Sequence, residues 1–131
     1  MATRKTTGLQ GEQEAVRYLR KQGYQIIARR ERILRGDIDI IALHKRVVVF
    51  IEVRSKTSTH HGHPADTVDA RKRQRICTLA NAYIKQHRLE NYSFRLDVIS
   101  YLHLLYQIKT VGSFGVLVIH QSLSIFRIPS K

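Results

Sequence analysis

The stretch GDIDIIALHKRVVVFIEVRSK, Gly36 to Lys56, decides the fold. DIDIIAL and RVVVFIEV are β-branched, apolar runs separated only by His44 to Arg46, which predicts two adjacent antiparallel strands. Both runs carry acids, Asp37, Asp39 and Glu52, where an unpaired carboxylate is costly. A tight turn at Lys45 and Arg46 would set Asp39 opposite Glu52 and Asp37 opposite Arg54. Ile38, Ile40 and Ala42 would then share an apolar face with Val53, Ile51 and Val49. Directly opposed side chains have Cβ atoms roughly 4.5–5.5 Å apart, close enough for two carboxylates to hold one divalent cation. Lys45-Arg46 lacks the Gly or Asn of a tight turn, so a longer or bulged loop stays open. Ordinary ion pairs also stay open, Asp37 with Arg54 and Asp39 with Arg29 or Arg30.

Outward from this hairpin, a helix is expected from Gly8 to Gln22, with Glu12, Ala15, Val16 and Leu19 on one face and Gly23 as its stop. YQIIARRERIL reads as a strand that leads to a turn at Gly36. SKTSTHHGHPAD is a loop by composition, and its HHGH run is a weak zinc signal with no partner at suitable spacing. A long helix is expected from Thr67 to Gln86, with Ile76, Leu79, Ala80 and Tyr83 on its apolar face. FRLDVISYL returns as a strand, and LLYQIK and VLVIHQSLSIFRI read as further short strands or a tail over 101–131. The order predicts an α/β domain with a central mixed sheet flanked by helices, in one unit over 1–131 with its core at about 8–100.

The 23 Lys and Arg outnumber the 10 Asp and Glu, giving a net charge of +13 with His neutral. That balance favours a polyanion, with nucleic acid as the first candidate. Arg29, Arg30 and Arg32 form one basic cluster with Arg35, and Arg71, Lys72, Arg73 and Arg75 open the second helix. Flanking the acids, they suggest a groove that follows phosphates; the alternative for each is a solvated face. No apolar run is long enough to span a membrane and no secretory signal is evident. The single cysteine, Cys77, precludes an intramolecular disulfide, so a reducing, cytoplasmic setting is expected, with Cys77 as a packing residue.

These residues resemble the PD-(D/E)xK nuclease superfamily, the restriction-endonuclease-like fold with an αβββαβ core. The resemblance is closest to the YraN-like predicted endonucleases. It rests on Gly11-Glu12, Gly23-Tyr24, Gly36-Asp37-Ile38-Asp39-Ile40-Ile41-Ala42, Phe50-Ile51-Glu52-Val53-Arg54, the basic run Arg71-Lys72-Arg73, and Arg95-Leu96-Asp97-Val98-Ile99. The layout is also similar to that of archaeal Holliday-junction resolvases. The resemblance implies hydrolysis of DNA phosphodiester bonds, with branched DNA among the candidate substrates and a homodimer left open. Asp39, Glu52 and the Val53 carbonyl would hold Mg²⁺ or Mn²⁺, and Glu12 would stand at the edge of the site. Asp97 would be a structural or outlying acid. The chain departs from the pattern at Arg54, which occupies the signature lysine's position. Arginine can clamp a phosphate but cannot act as a base. Lys56, two positions on, shares its face. A non-catalytic nucleic-acid-binding module on the same fold, and a scaffold protein with a basic surface, are the alternatives.

Overall fold

A computed structural model describes residues 4–56, 70–104 and 115–126, with side chains over 11–54 and 70–99. In chain order the elements are α1 (Arg4–Lys21), β1 (Gln25–Ile33), β2 (Gly36–His44), β3 (Val47–Lys56), α2 (Ala70–Gln86), β4 (Ser93–Leu104) and β5 (Gly115–Phe126). The strands form one sheet in that same order. β3 and β4 run parallel, and every other neighbouring pair is antiparallel. A parallel pair needs a crossover, and α2 lies within this one. The mixed sheet with its helices is the α/β arrangement expected for a restriction-endonuclease-like fold.

Both faces of the β2–β3 hairpin are buried. Ile40, Ala42, Val49 and Ile51 pack with Ala15, Val16 and Leu19 of α1. Ile41, Val48 and Phe50 pack with Ile76, Leu79, Tyr83 and Ile84 of α2. The helices therefore cover opposite faces of the sheet. The sequence expectation of one apolar and one charged face is corrected here: the strands' acids are confined to the end of the hairpin far from the turn. Ile38 is corrected as well, since it joins the α2 cluster rather than the face of Ile40 and Ala42.

The turn itself is tight. His44 pairs with Val47, and Lys45 and Arg46 lie at φ 50° and 62°. Two residues at positive φ give the turn whose twist matches a hairpin. Placing non-glycine residues there costs roughly 1–2 kcal/mol each. Burying a large apolar side chain contributes about 1.5–3 kcal/mol, and Ile40, Ile41, Phe50 and Ile51 are all fully buried. Register is therefore set by the buried runs, and the turn residues comply.

α1 begins at Arg4 rather than Gly8. It ends as expected at Gly23, at φ 89°, with Tyr24 N donating to Leu19 O and Gly23 N to Arg20 O. α2 closes in the same way without a glycine: Leu89 N donates to Ile84 O and Arg88 N to Lys85 O, with Arg88 at φ 54°. Residues 57–69, with the HHGH run and the expected start of α2 at Thr67, lie outside the described residues, as does most of LLYQIK.

Candidate functional site

The regular ladder between β2 and β3 runs from His44↔Val47 to Ile40↔Ile51 and ends there. The next hydrogen-bonded partner for Val53 along such a ladder would be Ile38. Instead, Val53 N donates to Asp39 Oδ2 at 2.8 Å. A side-chain oxygen takes the place of a backbone carbonyl, and β2 turns away, carrying Ile38 into the α2 cluster. Asp39 is thereby held at the point where the strands part. In an antiparallel pair a residue's N–H and C=O face the same neighbour, so the Val53 carbonyl is turned toward β2 as well.

Asp39, Glu52 and Asp37 line a cleft of about 470 Å³ on the α2 side of the sheet. Its opposite wall is Arg71, Lys72 and Arg75, and Ile76 and Leu79 floor it. Lys72 Nζ lies 2.8 Å from Glu52 Oε1. Gly36 permits this approach of helix to strand: a Cβ there would sit 2.8 Å from Leu79 Cδ1 and 3.5 Å from an Arg75 guanidinium nitrogen. Burial, then the neighbouring Glu52 charge, push the Asp39 carboxyl up from 3.8 to about 7, against the lowering effect of the Val53 hydrogen bond. Glu12 and Lys72 act on it more weakly, in opposite directions.

The other expected residues are distributed more widely. Glu12 reaches toward Asp39 from α1, on the far face of the sheet, and accepts from Arg30 Nε at 2.7 Å. It does not line the cleft. Arg30, at φ 50°, is therefore committed to Glu12 rather than to Asp39. Arg29 opens onto a separate cleft of about 450 Å³ with Arg17, Arg20 and Lys21. Arg32 is exposed on β1, in register with Asp37, and no ladder pair sets Asp37 against Arg54. Arg54 is half-buried and does not line the acidic cleft. Arg73 is exposed and also stands off the cleft. The side chain of Lys56 lies outside those described. Burial pushes the Cys77 thiol up, which suits a packing role rather than a reactive one.

Asp97 is fully buried, and both of its oxygens accept from Arg95 Nε, at 3.0 and 3.1 Å. Arg95 also donates to the Tyr24 hydroxyl. This assembly ties the start of β1 to β4.

Among the described residues no three His, Cys, Asp or Glu side chains converge as a ligand group. Two carboxylates and a backbone carbonyl remain at the parting of β2 and β3. Hard oxygen donors of that number suit Mg²⁺ or Mn²⁺, which typically take one or two carboxylates and complete their shell with water and substrate phosphate. A closed four-ligand zinc site would need more.

The family model described as "Uncharacterised protein family UPF0102" matches residues 11–101. The chain belongs to the UPF0102 family. A UPF0102 protein of Caldanaerobacter subterraneus is 41% identical over 96 residues, covering 73% of this chain and 79% of the relative. Another, from Dehalococcoides mccartyi, is 42% identical over 97 residues, covering 74% and 80%. A third, from Rhodopirellula baltica, is 43% identical over 95 residues, covering 71% and 57%. The family match takes in every residue that lines the cleft, from Asp37 through Asp39 and Glu52 to Leu79, and Glu12 on the far face as well. No helix among the described residues is long and apolar enough to cross a membrane.

Proposed function

We propose that this UPF0102 protein is a metal-dependent phosphodiester hydrolase that acts on DNA. The observation that carries the reading is the break in the β2–β3 ladder. It sets Asp39 beside Glu52 in a cleft whose opposite wall is basic. Acids alone would repel a nucleic acid, and a basic wall alone would only bind one. The combination suits a phosphate held against a cation.

In this reading Asp39, Glu52 and the Val53 carbonyl hold Mg²⁺ or Mn²⁺. The bound ion supplies charge neutralisation at the phosphate and lowers the pKa of water beside it. The hydrogen bond from Val53 N keeps Asp39 Oδ2 oriented and leaves Oδ1 for the ion. Arg71 and Arg75 take flanking phosphates, for which a guanidinium offers two parallel donors. Glu12, held by Arg30, adds negative charge behind Asp39. The net charge of +13 draws the polyanion to the surface. Hydrolysis then forms a bond from a water oxygen to phosphorus and breaks the bond to the sugar oxygen. One water proton leaves to solvent and the departing oxygen gains one.

The test is a cleavage panel of linear, single-stranded, flapped and four-way DNA with Mg²⁺ or Mn²⁺. Cutting of at least one substrate, lost with EDTA and in Glu52→Ala, is the expected result. Cutting that survives Glu52→Ala would overturn the site. A second reading, a non-catalytic DNA-binding module, is favoured by Arg54 at the position of the signature lysine. It predicts salt-dependent binding with no cutting of any substrate.

A further inference from the structure

The basic wall of the cleft is not uniform. Arg71 and Arg75 are exposed, whereas Lys72 turns inward, half-buried, with its Nζ 2.8 Å from Glu52 Oε1. Helical spacing explains the difference. Lys72 stands one turn before Ile76, on the stripe that continues through Leu79 and Tyr83 into the core. Its stem follows that apolar face, and its ammonium emerges over the acids. Arg54, on β3, does not line this cleft.

A phosphodiester in the cleft would lie between the acids with their ion and the α2 wall. Charge building on its non-bridging oxygens then needs a cation opposite the ion. Three side chains could supply one, Arg71, Lys72 and Arg75. Only Lys72 has its charged atom in contact with a carboxylate of the ion site. Resting on the hydrolase reading, we propose that Lys72 is the catalytic cation of this site. It contacts the scissile phosphate and neutralises the developing charge, while its arginine neighbours hold phosphates further along the strand. The lysine the cleft needs thus comes from the helix rather than from the strand position that Arg54 fills.

Two roles for Lys72 separate experimentally. A lysine that only follows the backbone raises the DNA Kd when removed and lowers the salt slope by about 1, with little change in rate at saturation. A lysine that acts on the scissile group lowers the saturated rate. The experiment compares Lys72→Met with Arg71→Met in the full chain. It measures the single-turnover rate at saturating DNA with Mg²⁺, DNA affinity with Ca²⁺ in place of Mg²⁺, and Mn²⁺ affinity without DNA. For Lys72→Met the saturated rate should fall roughly 100-fold or more, the scale of losing one transition-state charge contact. Its DNA affinity should change less than about threefold, below the effect of an ordinary phosphate contact. Its Mn²⁺ binding should tighten severalfold, because a like charge leaves the ion's ligand. Arg71→Met should weaken DNA binding more than Lys72→Met does and lower the salt slope by about 1.

A Lys72→Met protein that cuts at the wild-type rate once saturated overturns this inference and leaves the hydrolase reading intact. So does one whose Mn²⁺ affinity is unchanged. A wild-type chain that cuts nothing overturns the hydrolase reading, and this inference with it. The half-buried Lys72 side chain keeps 41% of its surface exposed and a methionine can follow the same apolar face, so Lys72→Met is expected to fold, with an unchanged Tm as the check.

Discussion

Asp39 and Asp97 lie in the same five-stranded sheet and meet opposite surroundings. Asp97 is sealed from solvent and gripped through both oxygens by Arg95, which also binds Tyr24. Asp39 is partly open. Among the described residues it accepts from a single backbone N–H, and the largest charge effect on it comes from another acid, Glu52. One carboxylate is satisfied by the protein itself, and the other is, in the proposed reading, left for a bound ion. The contrast teaches where to look for chemistry: burial of an acid is common to both, but only Asp39 is buried against its own charge.

The largest effect expected from this contrast is on stability. Asp97→Ala strands Arg95 in a half-buried position and should cost about 3–5 kcal/mol, the scale of breaking a buried pair from one side. Asp39→Ala should cost far less in a urea titration while abolishing cutting. Equal destabilisation by the two changes would break the comparison.

A smaller effect, with a definite sign, is expected from Asp39→Asn. The Asp39 carboxyl is raised from 3.8 to about 7, so between those values the folded chain holds a proton that the unfolded chain has released. Folding stability contributed by this group is therefore full below about pH 4, falls as pH rises through about 7, and stays low above it. Asparagine accepts the Val53 N–H without the charge. It should stabilise the metal-free protein by about 1–3 kcal/mol at pH 8 and by almost nothing at pH 4. Denaturation across that range measures it, and a benefit greatest at low pH would contradict the assignment. By the same linkage, Mg²⁺ binding to the wild type should release a proton near neutrality and weaken as pH falls.

The smallest effect is at Gly36. A methyl there meets Leu79 Cδ1 at 2.8 Å, the mobile end of a side chain, so Leu79 can shift. Gly36→Ala should cost about 1 kcal/mol, at the low end for overpacking. It should also move α2 and with it the basic wall, so the cutting rate should fall more than the Tm suggests.

The register of β2 on β3 was legible in the sequence because two unbroken β-branched runs fix it, and the pairing of Ile40 with Ile51 follows it. The helix faces were legible for the same reason: Ala15, Val16 and Leu19, and Ile76, Leu79, Ala80 and Tyr83, are buried as their spacing requires. The parting of the strands at Asp39 was not. Strict alternation puts Ile38 with Ile40, and only the substitution of a side-chain oxygen for a backbone carbonyl at Val53 N reverses it. The tight turn was legible only as one of two alternatives, because residue preference at Lys45 and Arg46 argues against a conformation that the flanking core enforces. The inward turn of Lys72 did leave a signal. It stands four residues before Ile76 on the buried stripe, whereas Arg71 and Arg73 do not, and a run of four basic residues hides that difference.

The central claim is that Asp39 and Glu52 jointly hold one divalent ion. The most direct measurement is a Mn²⁺ titration at pH 8, followed by electron paramagnetic resonance, of the wild type, Asp39→Ala and Glu52→Ala. The account predicts one Mn²⁺ per wild-type chain and at least a tenfold weaker site in either variant, a loss of about 1.4 kcal/mol or more. Wild-type affinity retained in both variants would contradict it.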